Sequence, residues 1–531
     1  MSDSRNATPF SRRQALRWGA LGVAAATVPW SLVGCGDSSG SSSGGSQPPG
    51  TVLDGPPKRG GTLKLGVTGG SPADTLDPMS VIGAVDVLRT QQLYDSLAEF
   101  ADDRSIVMAL AERITPSADG RTWTIVLKPG LQFHDGSPVD SDAVIFSIKR
   151  VIDPSAPKNG ALGYADIDPG SIRKVDDQTV TVGLTRANFV LIEEFASYSN
   201  AIVPVGFDPK QPVGTGPFTY TSFTPGQQST FGRNAHYWRN PDQPHVDSLV
   251  ITEFSDATAQ VNALLSGTIN QAGGISAAQL LTVQANPTLK VVNRPSGAWF
   301  PFTMRSDVPP FDDARVRQAM RLIVNRDQMI QQTSSGQAKP GNDMWSPFDT
   351  AYDSSLPQRT PDIAKAKQLL ADAGRAGLSV ELVTSDLVPG LVDAAQVFAE
   401  QAKAAGVTVT VKKVEPVAFF TQDYLNSSFS QDIWDERPFF AQTGANLDVG
   451  SPFNPTKWRD PEFDALYDRA KSEPDATKRA DLARQMQRIL YDRGSYIVWS
   501  FPNIIDGFST DVKGVEGRLQ AAPLREAWLS S

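Results

Sequence analysis

Phe311-Asp312-Asp313-Ala314-Arg315-Val316-Arg317-Gln318-Ala319-Met320-Arg321-Leu322-Ile323-Val324-Asn325-Arg326-Asp327 is the stretch that decides the fold of this chain. Asp312 or Asp313 offers an N-cap, and Val316, Ala319, Met320 and Ile323 recur at helical spacing as one apolar stripe. Such a stripe is stable only when buried against a second layer. Further on, helices are predicted over 363–373, ended by Gly374, and over 392–405. Val407-Thr408-Val409-Thr410-Val411 alternates as a strand. Helices and strands therefore alternate from Ala314 to Val411, the pattern of an α/β layer. Two more helices are predicted over 463–471 and 480–492, then an apolar strand, Tyr496-Ile497-Val498-Trp499.

Working towards the N-terminus, Val213-Gly214-Thr215-Gly216-Pro217-Phe218 resembles a phosphate cradle only superficially. Pro217 removes an N–H that a cradle would use, and no Gly-Lys-Ser/Thr follows, so a tight structural loop is expected. Asp140-Ser141-Asp142 caps a helix with apolar positions 144, 145, 148, 151 and 152. Thr122-Trp123-Thr124-Ile125-Val126-Leu127 reads as a strand with Trp123, Ile125 and Leu127 on one face. Gly61-Thr62-Leu63-Lys64-Leu65-Gly66-Val67 is another short strand.

Residues 1–34 read as an export signal. Arg12 and Arg13 lie in a basic segment, Ser11-Arg12-Arg13-Gln14-Ala15-Leu16-Arg17, followed by 15 Ala/Gly-rich residues that are too few to span a bilayer. The spacing is similar to a twin-arginine signal, although Ala15 replaces the usual large apolar residue, which leaves a general secretory signal open. Leu32-Val33-Gly34-Cys35 resembles a bacterial lipobox, in which the cysteine becomes a lipidated N-terminus; the other reading of Cys35 is an ordinary thiol. Residues 35–60 are rich in Gly, Ser and Pro and are expected to form a disordered tether.

Composition excludes several functions. Removing residues 1–34, which carry four arginines against Asp3, shifts the net charge from −9 to about −12, so no nucleic-acid partner is expected. With one cysteine and three scattered histidines (His134, His236, His245), the chain offers no metal-binding pattern and no cofactor motif. There is no Gly-x-Ser-x-Gly elbow. The adjacent acids Asp102-Asp103, Asp176-Asp177 and Glu193-Glu194 read as solvated faces or turns rather than catalytic pairs. The chain is therefore read as a non-enzyme, although a glycosidase-like carboxylate pair need not be adjacent in sequence.

Seven segments together are similar to one family, the extracytoplasmic solute-binding proteins of peptide/nickel-type ABC transporters (family 5). They are Leu76-Asp77-Pro78, Tyr94-Asp95-Ser96-Leu97, Leu127-Lys128-Pro129-Gly130 with Phe133-His134-Asp135-Gly136-Ser137-Pro138-Val139, Val213 to Phe218, Asn234-Ala235-His236-Tyr237-Trp238, Phe311 to Ala319, and Asn325-Arg326-Asp327. The resemblance implies an α/β, two-lobed periplasmic-binding-protein-like fold (type II, cluster C) with an extra subdomain in the first lobe. On this reading 61–294 form lobe I, including the inserted subdomain at about 101–205, 295–500 form lobe II, and 501–531 return to lobe I. It further implies capture of a small solute, an oligopeptide foremost, by a lipid-anchored extracytoplasmic monomer that serves an ABC permease and its ATPase. The alternative is a membrane-tethered sensor of an oligosaccharide, opine or amine without its own transporter. Aromatic residues near loops, Trp299, Phe302, Trp345, Trp434 and Phe439, are candidate cleft walls. Peptide binders of the family use a late Asp against the ligand's amino group; here Asp432-Ile433-Trp434-Asp435-Glu436-Arg437-Pro438 lacks the family's Asp-Pro, and Asp435 is the candidate for that role.

Overall fold

The computed structural model describes residues 55–81, 83–448, 451, 453–515 and 524–530. Arg12, Arg13, Cys35, the signal and most of the tether lie outside them. The expected tether ends earlier than residue 60: the Gly60 N–H donates to His245 O at 2.9 Å, and the Arg59 guanidinium pairs with Asp242 at 2.8 Å. A Gly/Ser/Pro composition describes 36–57, whereas the basic residues that follow find partners on the folded body.

The chain builds two large sheets. The first has the order Leu289–Arg294, Ile504–Ser509, Gln271–Ala272, Thr62–Thr68, Ser248–Phe254, Gln228–Arg233, Phe218–Thr224. Its central strand Thr62–Thr68 runs parallel to Ser248–Phe254 and puts Leu63 and Leu65 into the core. A four-stranded antiparallel sheet, with Ala111–Pro116, Thr122–Leu127, Thr179–Gly183 and Arg173–Lys174 in that order, shares this core through Trp123, Ile125, Val180 and Val182. Helix Ser141–Val151 covers it, capped by Asp140, whose carboxylate accepts from Ala143 N at 3.0 Å.

The second large sheet has the order Thr408–Lys413, Ser379–Thr384, Phe429–Gln431, Phe302–Met304, Tyr496–Ile497. Its parallel pair Ser379–Thr384 and Thr408–Lys413 is joined through helix Leu391–Lys403, as a parallel connection requires. Helix Ala314–Ile323 begins at the Asp313 cap and buries Val316, Ala319, Met320 and Ile323. Two of its polar residues, Arg317 and Arg321, are buried too. Arg317 donates to Arg493 O at 3.0 Å, and Arg321 to Leu490 O at 3.2 Å, Tyr491 O at 2.9 Å and Gly494 O. These carbonyls end helix Ala476–Arg493, so two cations of one helix satisfy the orphan acceptors and negative dipole end of another.

The chain crosses between the two large sheets twice, at neighbouring points. Leu289–Arg294 and Ile504–Ser509 pair antiparallel, with Arg294 opposite Ile504 where both leave the first sheet. Arg294 also forms an ion pair with Asp506. This is the two-lobed type II architecture, with a two-segment hinge. The expected strand 496–499 is shorter than its apolar run: Tyr496–Ile497 joins the second large sheet, Val498 and Trp499 leave it, and a separate strand, Ser500–Pro502, pairs with Ala338–Pro340.

The Val213 to Phe218 stretch is a tight loop. A Cβ on Gly214 would lie 2.0 Å from Leu93 O and one on Gly216 2.5 Å from Gln92 O, so only glycine fits. His134 clamps this loop. Its Nδ1 accepts from Gly214 N at 3.2 Å and its Nε2 donates to Gly216 O at 3.0 Å, an arrangement of the neutral ring that burial favours.

Candidate functional site

Where the four-stranded subdomain meets the second lobe, the segment 186–200 is held by Asn188. The Trp123 indole N–H donates to Asn188 O at 2.9 Å, the Asn188 amide donates to Asp166 at 2.9 Å, and its oxygen accepts from Val190 N at 2.9 Å. These bonds start the short helix Ile192–Phe195 and the turn Tyr198–Asn200, which carry Glu193, Glu194 and Tyr198 to the boundary.

Three sets of contacts join the lobes there. Lys471 pairs with Asp166 at 2.6 Å, Arg186 with Asp468 at 3.0 Å, and Phe189 N donates to Lys471 O at 2.7 Å. Burial alone would raise the Asp166 carboxyl, but Lys471 and Arg186 hold it below its ordinary range. On another part of the boundary Arg104 forms an ion pair with Glu436 and lies over the Phe348 ring at 3.7 Å. Between them, Ala441 N, in the first turn of helix Phe439–Leu447, donates to Glu193 at 3.3 Å, a carboxylate placed at a helix N-terminus.

Beside these contacts sit carboxyls that make none. The carboxyl groups of Glu194 and Asp435 form no hydrogen bond and no ion pair among the described residues, and both residues are half-buried. Burial raises the Glu194 carboxyl, against the pull of Arg437 and Lys471. Burial likewise raises Asp435, against Arg437, and raises the nearby Tyr198 hydroxyl, with Asp435 adding to the shift. Glu193 is raised strongly, first by burial and then by its neighbours Asp349 and Glu194. All four keep part of their surface accessible.

The candidate residues separate into three groups. Asp435 lies at the boundary. Trp299, Trp345, Trp434 and Phe439 come together, but as a stacked core of the second lobe: Trp299 lies 5.5 Å from Trp345 and 6.1 Å from Trp434, and Trp345 lies 6.0 Å from Phe439. Trp299 and Trp434 are also tied by reciprocal backbone bonds of 3.0 Å. Of the four, Trp434 is the most exposed, at 8%. Its ring carries Arg437 5.8 Å away and its indole N–H reaches Asp432, a buried carboxyl that desolvation pushes up to about 7. Phe302 stands apart, sealed in the other core against Phe398 at 4.8 Å. Glu193-Glu194 is not the solvated pair expected from adjacency. The missed signal is its setting, Phe189-Val190-Leu191-Ile192 before and Phe195 after, since an acid pair inside an apolar run is hard to solvate.

Residues 105–451 match the family described as bacterial extracellular solute-binding proteins, family 5, middle region. The chain belongs to this family. A di/tripeptide-binding protein of Pseudomonas aeruginosa is 26% identical over 461 residues, 80% of this chain and 86% of that protein. Heme-binding protein A of Haemophilus influenzae is 25% identical over 449 residues, 77% of this chain and 81% of that one. The solved structure of the periplasmic binding protein DppA from Helicobacter pylori, in complex with the peptide STSA, superposes with a TM-score of 0.77 at 20% identity, covering 89% of this chain and 99% of that one.

Proposed function

We propose that this solute-binding protein captures a small solute, an oligopeptide foremost, between its lobes and passes it to an ABC permease driven by an ATPase. The observation that carries this reading is the pair of partnerless carboxyls, Glu194 and Asp435, facing one boundary from two lobes joined by a two-segment hinge. A ligand that touches both lobes binds the closed form better and so drives closure. The peptide-binding relative supports a peptide ligand, and Asp435 is the residue to meet its amino group. On this reading 61–294 and 501–531 make lobe I, with the insert at about 101–205, and 295–500 make lobe II. Native mass spectrometry of the gently purified protein without residues 1–35 tests it. A co-purified peptide mass, returned unchanged, is expected; a heme or sugar mass, or turnover of the ligand, rejects the peptide reading.

The same proposal places the protein outside the cytoplasm as a monomer, anchored through lipid on Cys35 after export directed by Arg12 and Arg13. A single acyl chain binds a membrane only marginally, so a multiply acylated cysteine is required. Cys35→Ser is expected to move the protein from the membrane to the soluble fraction with ligand affinity unchanged. Retention of the variant in washed membranes counts against the anchor.

A further inference from the structure

The first lobe reaches the second through a short hairpin. Its strands, Ala98–Phe100 and Ile106–Met108, pair antiparallel, and Glu99 fixes them to the first lobe by ion pairs with Arg239 at 2.6 Å and Arg525 at 3.4 Å. The turn Ala101-Asp102-Asp103-Arg104-Ser105 closes on itself. Ala101 N donates to Ser105 O and Arg104 N to Ala101 O, both at 2.8 Å, and Ser105 Oγ donates to Asp103 at 2.6 Å. Arg104 has a φ of 67°, in the left-handed region that is costly for a residue other than glycine. Such a conformation persists where its surroundings over-determine it.

The Arg104 side chain is gripped from the second lobe. Its Nε donates to one oxygen of Glu436 and its Nη2 to the other at 3.2 Å, and the guanidinium lies over the Phe348 ring at 3.7 Å. Only 12% of the Arg104 side chain and 14% of the Glu436 side chain are exposed, so this two-point pair is weakly screened. The same carboxylate has a partner on the other side, accepting from Gly297 N at 2.7 Å. A Cβ on Gly297 would lie 2.7 Å from Glu436 Cγ, so a larger residue there would displace Glu436. Gly297 follows Arg294, where the chain leaves the first sheet, by only about 10 Å of extended backbone. The reciprocal bonds between Trp299 and Trp434 tie the two segments together further along. Arg104 therefore grips a carboxylate that is bonded to the exit of the hinge.

We propose that Arg104 is a latch and Glu436 its keeper, and that their pair sets how much of the solute-free protein is closed. Rotation about the hinge separates the hairpin from Glu436, so the pair stabilises the closed form whether or not a solute bridges the lobes. The bond from Glu436 to Gly297 holds the keeper in place on the hinge segment, so both residues act as one unit. Solute affinity carries this bias, because apparent affinity scales with the population of the form that binds. This rests on the solute-capture reading given above and adds the control of its closure. The latch shares no residue with the Lys471–Asp166 pair, which joins the lobes elsewhere.

Distances between spin labels on the two lobes test the assignment in the full chain, dialysed free of solute. The labels go on Val205→Cys, 63% exposed in the first lobe, and Glu400→Cys, on helix Leu391–Lys403 of the second, with Cys35→Ser removing the native thiol. The otherwise unaltered protein is expected to show a majority short-distance population. Arg104→Met, which keeps a stem over Phe348, should lower the ratio of short to long distances by at least about fivefold, with the unfolding midpoint unchanged. Glu436→Ala should do the same, and Arg104→Met with Glu436→Ala should move the ratio no further than Glu436→Ala alone. Glu436→Gln, which keeps an acceptor for Gly297 N, should shift it less than Glu436→Ala. A long-distance majority before any latch substitution, no shift in Arg104→Met, or additive shifts in the double variant overturns the latch. Equal shifts in Glu436→Gln and Glu436→Ala overturn the keeper's hold on the hinge. If Glu436→Ala fails to fold, Arg104→Met alone decides. A co-purified peptide alongside an unmoved Arg104→Met leaves solute capture standing without the latch, and the reverse pair of results leaves the latch standing without peptide capture.

Discussion

At the residue scale, Arg321 shows how one side chain serves two elements. Its stem belongs to helix Ala314–Ile323, while its guanidinium sits 0% exposed among the last carbonyls of helix Ala476–Arg493. A buried guanidinium is tolerated because both of its terminal nitrogens find carbonyls, and the carbonyls tolerate burial for the same reason. Arg321→Met keeps the stem but takes one donor each from Leu490 O, Tyr491 O and Gly494 O, which keep Gly494 N, Arg359 and Arg317 respectively. Hydrogen bonds to charged groups contribute about 1.5–3 kcal/mol each and do not add, and loss of a desolvated charge offsets part of the cost, so a net loss of about 2–4 kcal/mol is expected. Arg321→Lys, with a single nitrogen to reach three acceptors, should lose roughly half of that. The urea midpoint of unfolding measures both; a midpoint within error of wild type for Arg321→Met would mean that these contacts contribute nothing.

At the element scale, the contact between the 186–200 segment and the helix carrying Lys471 should control how firmly the lobes stay closed. Lys471→Met keeps the stem but leaves Asp166 with Arg186 and Asn188 only. Removing one partner of a buried pair acts mainly on dissociation. The expected outcome is a ligand off-rate raised about tenfold, an on-rate nearly unchanged, and an unfolding midpoint close to wild type; an unchanged off-rate would exclude the pair from closure. Elements of this kind were legible in the sequence wherever the determinant is local. The Asp140 and Asp313 caps, the 316–323 stripe and the tight Val213 to Phe218 loop follow from spacing and sterics within a few residues. The strand 496–499 misled because apolar runs do not state where a sheet ends. The boundary was illegible for a related reason: Glu194 and Asp435 lie 241 positions apart, and only the fold makes them neighbours of Arg437. Trp299, Trp345 and Trp434 drew notice as aromatics near loops, yet large aromatic area is what a core uses as readily as a cleft.

At the scale of the whole molecule, closure and protonation are linked, and the sign follows from the carboxyls at the boundary. In the closed form Glu193, Glu194 and Asp435 are raised, by burial first, while Asp349 and Glu194 press further on Glu193 and the cations Arg437, Lys471 and Arg479 relieve part of the shift. Opening hydrates these groups and returns them towards ordinary carboxylate values. The empty closed form therefore holds more protons than the open form, and acid favours empty closure. A cationic ligand needs the same carboxyls ionised, so binding releases those protons, and affinity rises with pH through the interval between ordinary and raised values and then levels off. Asp166 has the opposite shift, held low by Lys471 and Arg186, so the clasp between lobes persists to lower pH than the ligand does. For a cationic ligand the affinity is expected to fall as the pH drops through that interval, since each carboxyl that must lose a proton contributes up to about tenfold per pH unit. Calorimetry in two buffers of different ionisation enthalpy should show net proton release within that interval, and Glu194→Gln should reduce it. Affinity that stays flat over this range, or proton uptake on binding, would show that the raised carboxyls do not face the ligand.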